Sequence, residues 1–161
     1  MIREVREDDA AQIADIYNHY VVNTTVSFET TPLTVGQMLD RIRSISAAHP
    51  YYVYEEEGEI SGYCYVHPWK DRPAYGETME TTIYLRPGAS RRGLGRQLME
   101  RLIPECRRRG YKVLIACITA ENIPSCRFHE RLGFRRVSYF ERVGFKLGRY
   151  LDVTDYELVL S

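Results

Sequence analysis

Two glycines set among arginines, between a predicted strand and a predicted long helix, constrain this chain more than any other feature. The segment reads Ser90-Arg91-Arg92-Gly93-Leu94-Gly95-Arg96. Backbone N–H groups at a helix start lack internal partners, and the helix dipole adds positive potential there. Glycines let such a backbone approach a phosphate closely, and arginines add charge. The segment predicts an anion-binding turn, although a glycine-containing loop beside a solvated basic patch would look similar.

The common glycine-rich nucleotide motifs do not account for this turn. A dinucleotide-binding fingerprint needs G-x-G-x-x-G near the first strand, and a P-loop needs G-K-[ST]. The turn has neither pattern, and it follows the third predicted strand. It therefore indicates a different kind of anion site.

The order of predicted elements indicates one domain, residues 1–161, built on a mixed sheet. Its length suits a single core. Apolar periodicity and turn residues predict helices at 8–20 and 35–48, strands at 51–55, 60–67 and 77–85, a helix at 93–109 bent near Pro104, a strand at 111–119, a helix at 122–131, and strands at 134–143 and 150–160. This alternation is typical of an α/β (α+β) fold in which helices flank the sheet.

Composition and charge do not favour nucleic acid, a membrane or a metal ion as a partner. Lys plus Arg (22) equals Asp plus Glu (22), so net charge does not favour nucleic acid or a membrane surface. No apolar run approaches the roughly 20 residues that span a bilayer.

The cysteines (Cys64, Cys106, Cys117 and Cys126) lack metal-ligand spacing and are interpreted as mostly buried free thiols. We expect a cytoplasmic protein without a metal site, a nucleic-acid partner or a membrane segment.

The glycine turn and a later segment together resemble the GNAT acetyltransferase superfamily. The main motif of that family, [QR]-x-x-G-x-[GA], overlays Ser90 to Gly95, with Ser90 in place of Gln or Arg. A second family segment, a short helix ending in L-G-F, matches residues 128–134 (FHERLGF). The resemblance implies a GNAT-like mixed, mostly antiparallel central sheet with helices on both faces. It also implies acetyl-CoA as cosubstrate, its pyrophosphate bound at the turn.

Several further stretches look like the phosphinothricin acetyltransferase branch of the superfamily. They are 16–25 (IYNHYVVNTT), 68–70 (PWK) with Arg72 and 74–75 (AY), 80–84 (ETTIY), Asn122 with 124–125 (PS), and 144–146 (GFK) with 152–153 (DV). The resemblance covers nearly the whole chain. It implies transfer of an acetyl group to a small-molecule amine such as phosphinothricin, methionine sulfoximine or methionine sulfone. Because members of this family are often dimers, it also implies a homodimer.

The same resemblance points to two catalytic residues. Glu80 matches a catalytic carboxylate and is the expected general base for the acceptor ammonium, although a surface-strand glutamate would fit the local sequence as well. His129 lies where many members carry a Tyr that protonates the leaving sulfur. A histidine there can protonate or stabilise the thiolate, help deprotonate the amine, or simply pack on Ser125 one helical turn earlier. The sequence leaves these roles open.

Cofactor and acceptor residues are also implied by the resemblance. Asn122 caps the short helix and contacts the cofactor in similar proteins, and a backbone N–H near 83–85 is the expected oxyanion donor. Arg72 and Tyr75 are the candidates to hold an acceptor carboxylate, and Phe28 is the candidate to contact the acceptor side chain, although Arg72 would fit a solvated loop charge as well. The full expected cofactor set is Ile83, Tyr84, Leu85, Ser90, Arg91, Arg92, Gly93, Leu94, Gly95, Arg96, Asn122 and Ser125.

Two alternative functions remain compatible with the sequence. The first keeps the enzyme but changes the acceptor to a peptide N-terminus, a polyamine or an aminoglycoside. A polycationic acceptor would favour an acidic cleft, yet the acidic run at 55–59 is predicted to lie in a hairpin turn. The second alternative is a non-catalytic module that binds CoA as a sensor ligand.

Overall fold

A seven-stranded sheet organises the part of the chain that the computed structural model describes, residues 1–89 and 92–160. Its spatial order is β1-β2-β3-β4-β5-β7-β6. Neighbouring strands are antiparallel except β4 and β5, which run parallel. The expected mixed, mostly antiparallel sheet is confirmed. The strands are β1 (Ile2–Glu4), β2 (Tyr51–Glu56), β3 (Glu59–Pro68), β4 (Thr78–Leu85), β5 (Val113–Thr119), β6 (Arg135–Lys146) and β7 (Arg149–Val159).

Helices cover both faces of this sheet, as expected. Within the described residues they are α1 (Ala10–Asn23), α2 (Val35–Ser46), α3 (Leu94–Arg108) and α4 (Ile123–Arg131), with short 3-10 turns at Glu7–Asp9 and Pro73–Tyr75. Because side chains alternate along a strand, neighbouring residues of β3 enter different cores. Tyr63 packs with α1 and α2, whereas Cys64 packs with α3 and α4.

Local sequence signals account for most element boundaries. Thr34 accepts a hydrogen bond from the Gln37 backbone N–H at 3.1 Å, and the Gln37 side chain returns one, so α2 begins with a capping box. The helix α3 continues through Pro104. Gly110 ends it with a φ of 86°. None of the described helices is long and apolar enough to cross a membrane.

The first strand was not predicted, because its pairing depends on distant charges rather than on apolar alternation. Arg3 lies opposite Val53 of β2. Its guanidinium contacts Asp9 and Glu55, each at 2.9 Å, and these ion pairs fix β1 at the sheet edge. Three of the cysteines are buried free thiols, in agreement with the sequence; Cys117 is a free thiol but exposed.

Candidate active site

The parallel strands β4 and β5 separate partway along their length. Their pairing runs from Thr78 and Val113 to Glu80 and Ile115. Both strands continue beyond that point, β4 to Leu85 and β5 to Thr119. Because backbone hydrogen bonds hold neighbouring strands together, a gap opens between their carboxyl ends.

Backbone groups of β4 point into this gap. The Arg86 N–H donates to the Ser61 carbonyl at 2.8 Å, and the Thr78 carbonyl accepts from the Trp69 N–H at 3.3 Å, so these groups face β3. Backbone groups on successive residues of a strand point to opposite sides. The N–H groups of Ile83 and Leu85 therefore face the gap, where the sequence predicts an oxyanion donor.

Two hydroxyl groups stabilise the separated strands. The Tyr20 hydroxyl donates to the Leu85 carbonyl, and the Thr81 hydroxyl donates to the Ile115 carbonyl at 3.4 Å. The Leu85 carbonyl lies beyond the last paired position, where a continuous β4–β5 ladder would require a backbone partner, whereas Ile115 is still paired with Glu80. Because an unpaired buried carbonyl is costly, the Tyr20 hydroxyl stabilises the gap, and the Thr81 hydroxyl reinforces the point where the ladder ends.

The gap widens into a cleft of about 580 Å³. Gly93 begins α3 with a left-handed φ of 71°, which favours glycine. Gly95 follows two residues later, in the first turn of α3. An added Cβ there would come 3.3 Å from the Phe128 ring of α4 and 3.5 Å from Leu85. The glycine pair thus lets α3 begin close against both walls. The lining comprises Tyr20, Val26, Ile83, Tyr84, Leu85, Gly93, Gly95, Arg96, Asn122, Pro124, Ser125, Phe128, Arg131 and Leu132.

The amino end of α3 is the place where the sequence predicts an anion site. Gly93 provides no side-chain cap, so the first backbone N–H groups of the helix are available to a ligand. Arg92 pairs with Glu56, and Arg96 pairs with Glu100 at 2.7 Å. All four side chains are exposed, and exposed ion pairs contribute little, so a phosphate can compete for either arginine.

Three of the expected cofactor residues need separate mention. Ser90 and Arg91 lie outside the described residues. Leu94 is described, but its side chain is buried in the core with α3 and does not line the cleft. An apolar side chain in this first turn points into the core, so only the backbone of Leu94 is suited to touch a ligand.

A second, smaller cavity of about 130 Å³ adjoins the cleft and contains both predicted catalytic residues. Met79 is buried on the sheet face that carries α3 and α4. Because neighbouring side chains along a strand point to opposite faces, Glu80 projects on the face that carries α1 and α2. His129 comes from α4, which packs on the other face. Both reach the same cavity because the strands between them have separated. The two cavities share Val26, Ile83, Tyr84, Asn122 and Ser125.

His129 is held as a neutral, oriented imidazole. Only 3% of the residue is exposed, and Nδ1 lies 2.8 Å from the Ser125 carbonyl, which can only accept. Nδ1 therefore carries the proton, while burial lowers the pKa of the ring. The rings of Phe128 and Phe134 pack edge-on at 5.2 Å. The resting His129 is thus a proton acceptor through Nε2, and the predicted packing on Ser125 sets its tautomer.

The start of α4 also follows from the sequence. Asn122 Oδ1 accepts from the Ser125 backbone N–H at 3.3 Å, which confirms the predicted cap. Both residues line both cavities, as expected for cofactor contacts.

A thiol shares the catalytic cavity but is poorly suited to accept an acyl group. Cys117 of β5 lies opposite Asp155 of β7. Partial removal from water, together with the negative charges of Asp155 and Glu80, raises the pKa of the Cys117 thiol. Because the thiolate is the nucleophilic form, this environment favours direct transfer to an amine over a cysteine-bound intermediate.

The predicted acceptor residues do not line either cavity. Arg72 is exposed in the loop after β3, just before the Pro73–Tyr75 turn. Tyr75 packs edge-on against Trp69, with ring centroids 5.4 Å apart. Phe28 is 43% exposed and packs on Gly144 of β6, where an added Cβ would lie 2.4 Å from its ring. The structure thus places all three outside the two cavities.

Sequence patterns missed several residues that shape the site. Tyr20 and Val26 line the cleft, and His67 of β3 lies directly opposite Glu80. The predicted hairpin placed His67 on a strand, but nothing in the sequence specifies the register between β3 and β4. The structure is needed to bring these residues to Glu80.

Comparison with known proteins finds relatives that match nearly the whole chain. A family model described as the acetyltransferase (GNAT) domain matches residues 2–154. The chain is 37% identical over 161 residues to phosphinothricin N-acetyltransferase from Streptomyces viridochromogenes, covering 98% of this chain and 88% of the relative. It is 35% identical over 161 residues to L-methionine sulfoximine/L-methionine sulfone acetyltransferase from Salmonella typhimurium, covering 99% of this chain and 94% of the relative.

A solved structure shares the whole fold. The yncA protein of Salmonella typhimurium, solved with its cofactor acetyl-CoA, superposes with a TM-score of 0.97 at 34% sequence identity. The match covers 100% of this chain and 94% of the other.

The buried neutral state of His129 predicts a pH-dependent contribution to stability. Its pKa is lowered in the folded protein, so as the pH falls below 6.5 the unfolded chain gains a proton that the folded chain does not. The stability of wild type relative to His129→Gln should therefore fall by on the order of 1 kcal/mol between pH 7.5 and 5.5. Urea unfolding of both proteins at the two pH values measures this difference. A difference that stays constant with pH would show that His129 titrates normally.

Proposed function

The chain belongs to the GNAT acetyltransferase family, and on that premise we propose that it acetylates the amine of a small amino-acid analogue. Acetyl-CoA is the acetyl donor used by this family. The proposed acceptors are phosphinothricin, methionine sulfoximine and methionine sulfone, the compounds named for the two relatives described above. The observation that carries the proposal is the meeting of Glu80 and His129 in one cavity that opens into the cleft below α3.

The described residues fit acetyl-CoA. The cleft leads from the amino end of α3 to the β4 backbone, and Gly95 keeps its wall open where a Cβ would press on Phe128. We propose that the pyrophosphate lies on the first N–H groups of α3, with Arg92 and Arg96 nearby, and that the pantetheine arm follows β4. Bound in this way, acetyl-CoA supplies the thioester that is to be attacked.

The proposed chemistry uses groups of the chain at three positions. The Glu80 carboxylate removes one proton from the acceptor ammonium, which frees the nitrogen lone pair. The N–H of Ile83 or Leu85 donates to the carbonyl oxygen as negative charge develops on it. His129 Nε2 takes a second proton from the nitrogen and returns it to the departing sulfur. A carbon–nitrogen bond forms, the carbon–sulfur bond breaks, and CoA leaves as the thiol.

The acceptor is proposed to enter from the face that carries α1 and α2, because Glu80 projects there. Arg72 and Tyr75 stand in the loop that follows β3, and Phe28 lies in the loop after α1, two residues from the cavity residue Val26. We assign the acceptor carboxylate to Arg72, with Tyr75 beside it, and the side-chain wall to Phe28. Each would act at the mouth of the cavity.

We also propose a homodimer that uses the outer edge of the sheet. The edge strand β6 and its turn into β7 expose an unusual number of large apolar side chains, and a long exposed edge of this kind promotes association. A second copy is a fitting partner, because a net charge of zero imposes no overall repulsion. The exposed residues are Val137, Tyr139, Phe140, Val143, Phe145, Leu147 and Tyr150.

This proposed interface is connected to the site. Lys146 of β6 donates to the Ser27 carbonyl at 2.6 Å and to the Tyr20 carbonyl at 3.4 Å. The adjacent Gly144 receives the Phe28 ring. A partner bound to β6 would therefore stabilise the loop that carries Val26. We place the enzyme in the cytoplasm, because its cysteines are free thiols, as in a reducing compartment.

A panel of acceptors tests the substrate class. Thiol release from acetyl-CoA should be fastest with phosphinothricin, methionine sulfoximine or methionine sulfone, and slow with spermidine, kanamycin or a short peptide. The expectation follows from a catalytic cavity of only about 130 Å³ with one carboxylate, which suits a compact monoamine. Preferred turnover of a polyamine, aminoglycoside or peptide would contradict the proposed acceptor. CoA binding without turnover of any amine would support the sensor alternative.

Replacement of the proposed base tests the mechanism. Glu80→Gln keeps the size of the side chain but cannot take a proton, so kcat should fall about 100-fold or more. The affinity for acetyl-CoA should change little, because Glu80 lines only the smaller cavity. Glu77→Gln is the matched control, since Glu77 is exposed immediately before the same strand. Equal rates for wild type and Glu80→Gln would exclude Glu80 as the base.

Light scattering tests the dimer. Phe145 is 62% exposed on β6, and Phe145→Asp should convert a dimer into a monomer by placing a charge in the apolar contact. Val35→Asp is the control, because Val35 is 51% exposed on α2, which is not part of the proposed interface. A wild-type protein that remains monomeric at high concentration, or a dimer insensitive to Phe145→Asp, would rule out this interface.

A further inference from the structure

Glu80 has a neighbour that the chemistry above does not use. His67 of β3 lies directly across from it in the sheet register. His67 Nε2 is 3.4 Å from Glu80 Oε2, and about one third of each side chain is exposed. The contact occurs at the last position where β4 is still paired with β5. His67 of β3 therefore contacts Glu80 at the position along β4 where the gap toward β5 begins.

The second nitrogen of His67 determines the nature of this contact. Nδ1 lies 2.9 Å from the Pro68 carbonyl, which can only accept, so Nδ1 carries a proton. A neutral ring would then present a lone pair at Nε2 to the Glu80 carboxylate. An attractive contact requires a proton at Nε2 as well. An imidazolium satisfies both contacts, because it donates to the Pro68 carbonyl and forms an ion pair with Glu80 across 3.4 Å.

We propose that His67 is the positioning residue for the catalytic base. It binds Oε2 of Glu80, restricts the side chain to one rotamer, and leaves Oε1 free to take the proton of the acceptor ammonium. This inference rests on the proposed role of Glu80. Restricting the partly exposed Glu80 side chain matters because small displacements of a reacting group lower the rate strongly.

The protonation of His67 makes the proposed effect depend on pH. The hydrogen bond with Glu80 raises the pKa of His67, more than burial lowers it. The other titratable groups facing the ring are Tyr65 on the same strand, with centroids 6.0 Å apart, and His49 before β2. Burial, Arg109 and His67 lower the pKa of His49, so it competes little for a proton. The contact is present below the raised pKa of His67 and is lost above it.

A titration by NMR tests the contact without relying on turnover. The pKa of His67 should lie above its ordinary value in wild type and fall in Glu80→Gln, which removes the carboxylate charge. His49→Gln assigns the His49 signal and should leave the His67 pKa nearly unchanged. A His67 pKa that is the same in wild type and Glu80→Gln would overturn the proposal.

Kinetics test the positioning role. His67→Leu should lower kcat about tenfold below the pKa of His67 while the KM for acetyl-CoA stays unchanged. His67→Gln retains an N–H donor for Glu80 and should recover most of the rate. His49→Gln is the control for replacing a histidine ring nearby, because His49 lies before β2, is partly exposed and is hydrogen-bonded to the Tyr111 hydroxyl instead. The ratio of wild-type to His67→Leu rates should fall toward one as the pH rises past the pKa of His67.

The outcomes separate this inference from the proposed function. A constant ratio at all pH values, or a fully active His67→Leu, would contradict the positioning role even if Glu80→Gln is inactive. If wild type and Glu80→Gln turn over equally, the proposed function fails, whatever the His67 titration shows. A normal His67 pKa in an enzyme that depends on Glu80 would leave the function standing and remove His67 from it.

Discussion

The separation of β4 from β5 is the constraint on which the rest of the site depends. A parallel pair in the middle of a sheet is normally held by a continuous ladder, and an interrupted ladder leaves backbone groups without partners. Here the Tyr20 hydroxyl donates to the Leu85 carbonyl beyond the last paired position, and the Thr81 hydroxyl adds a bond to the Ile115 carbonyl at that position. The N–H groups of Ile83 and Leu85 remain directed into the gap. The fold thus keeps these donors facing a ligand, while the Tyr20 side chain satisfies the Leu85 carbonyl beside them.

This gap connects the two faces of the sheet. The face with α3 and α4 carries the helix start, the glycines and His129, all suited to a phosphate-bearing donor. The face with α1 and α2 carries Glu80 and its neighbour His67. Donor and acceptor can therefore approach from opposite sides and meet where the strands separate. Neither face alone contains a complete set of groups for acetyl transfer.

Sequence patterns predicted the four α-helices and every strand except β1, in the right order, because apolar periodicity, the Thr34 and Asn122 caps and the Gly110 stop are local signals. They also predicted the glycine turn, since Gly93 and Gly95 lie only two positions apart in the chain. The family resemblance drew attention to Glu80 and His129. The structure then gave the physical reason that these two residues meet in one cavity.

The structural features that the sequence did not predict depend on contacts between residues that are distant in the chain. The strand β1 is fixed by Arg3 reaching Asp9 and Glu55. The pairing of His67 with Glu80 depends on a register that no local pattern encodes. Leu94 looked like part of the ligand turn, yet its side chain belongs to the core. Register, strand separation and side-chain direction all arise from packing, so they appear only once the chain is folded.

A crystal structure of the protein with acetyl-CoA would test the central claim most directly. The account predicts the thioester carbonyl oxygen within hydrogen-bonding distance of the Ile83 or Leu85 N–H, with the acetyl carbon open toward Glu80 through the gap. The pyrophosphate should lie against the first turn of α3. A thioester bound outside the gap, or a β4–β5 ladder that closes as far as Leu85, would contradict it.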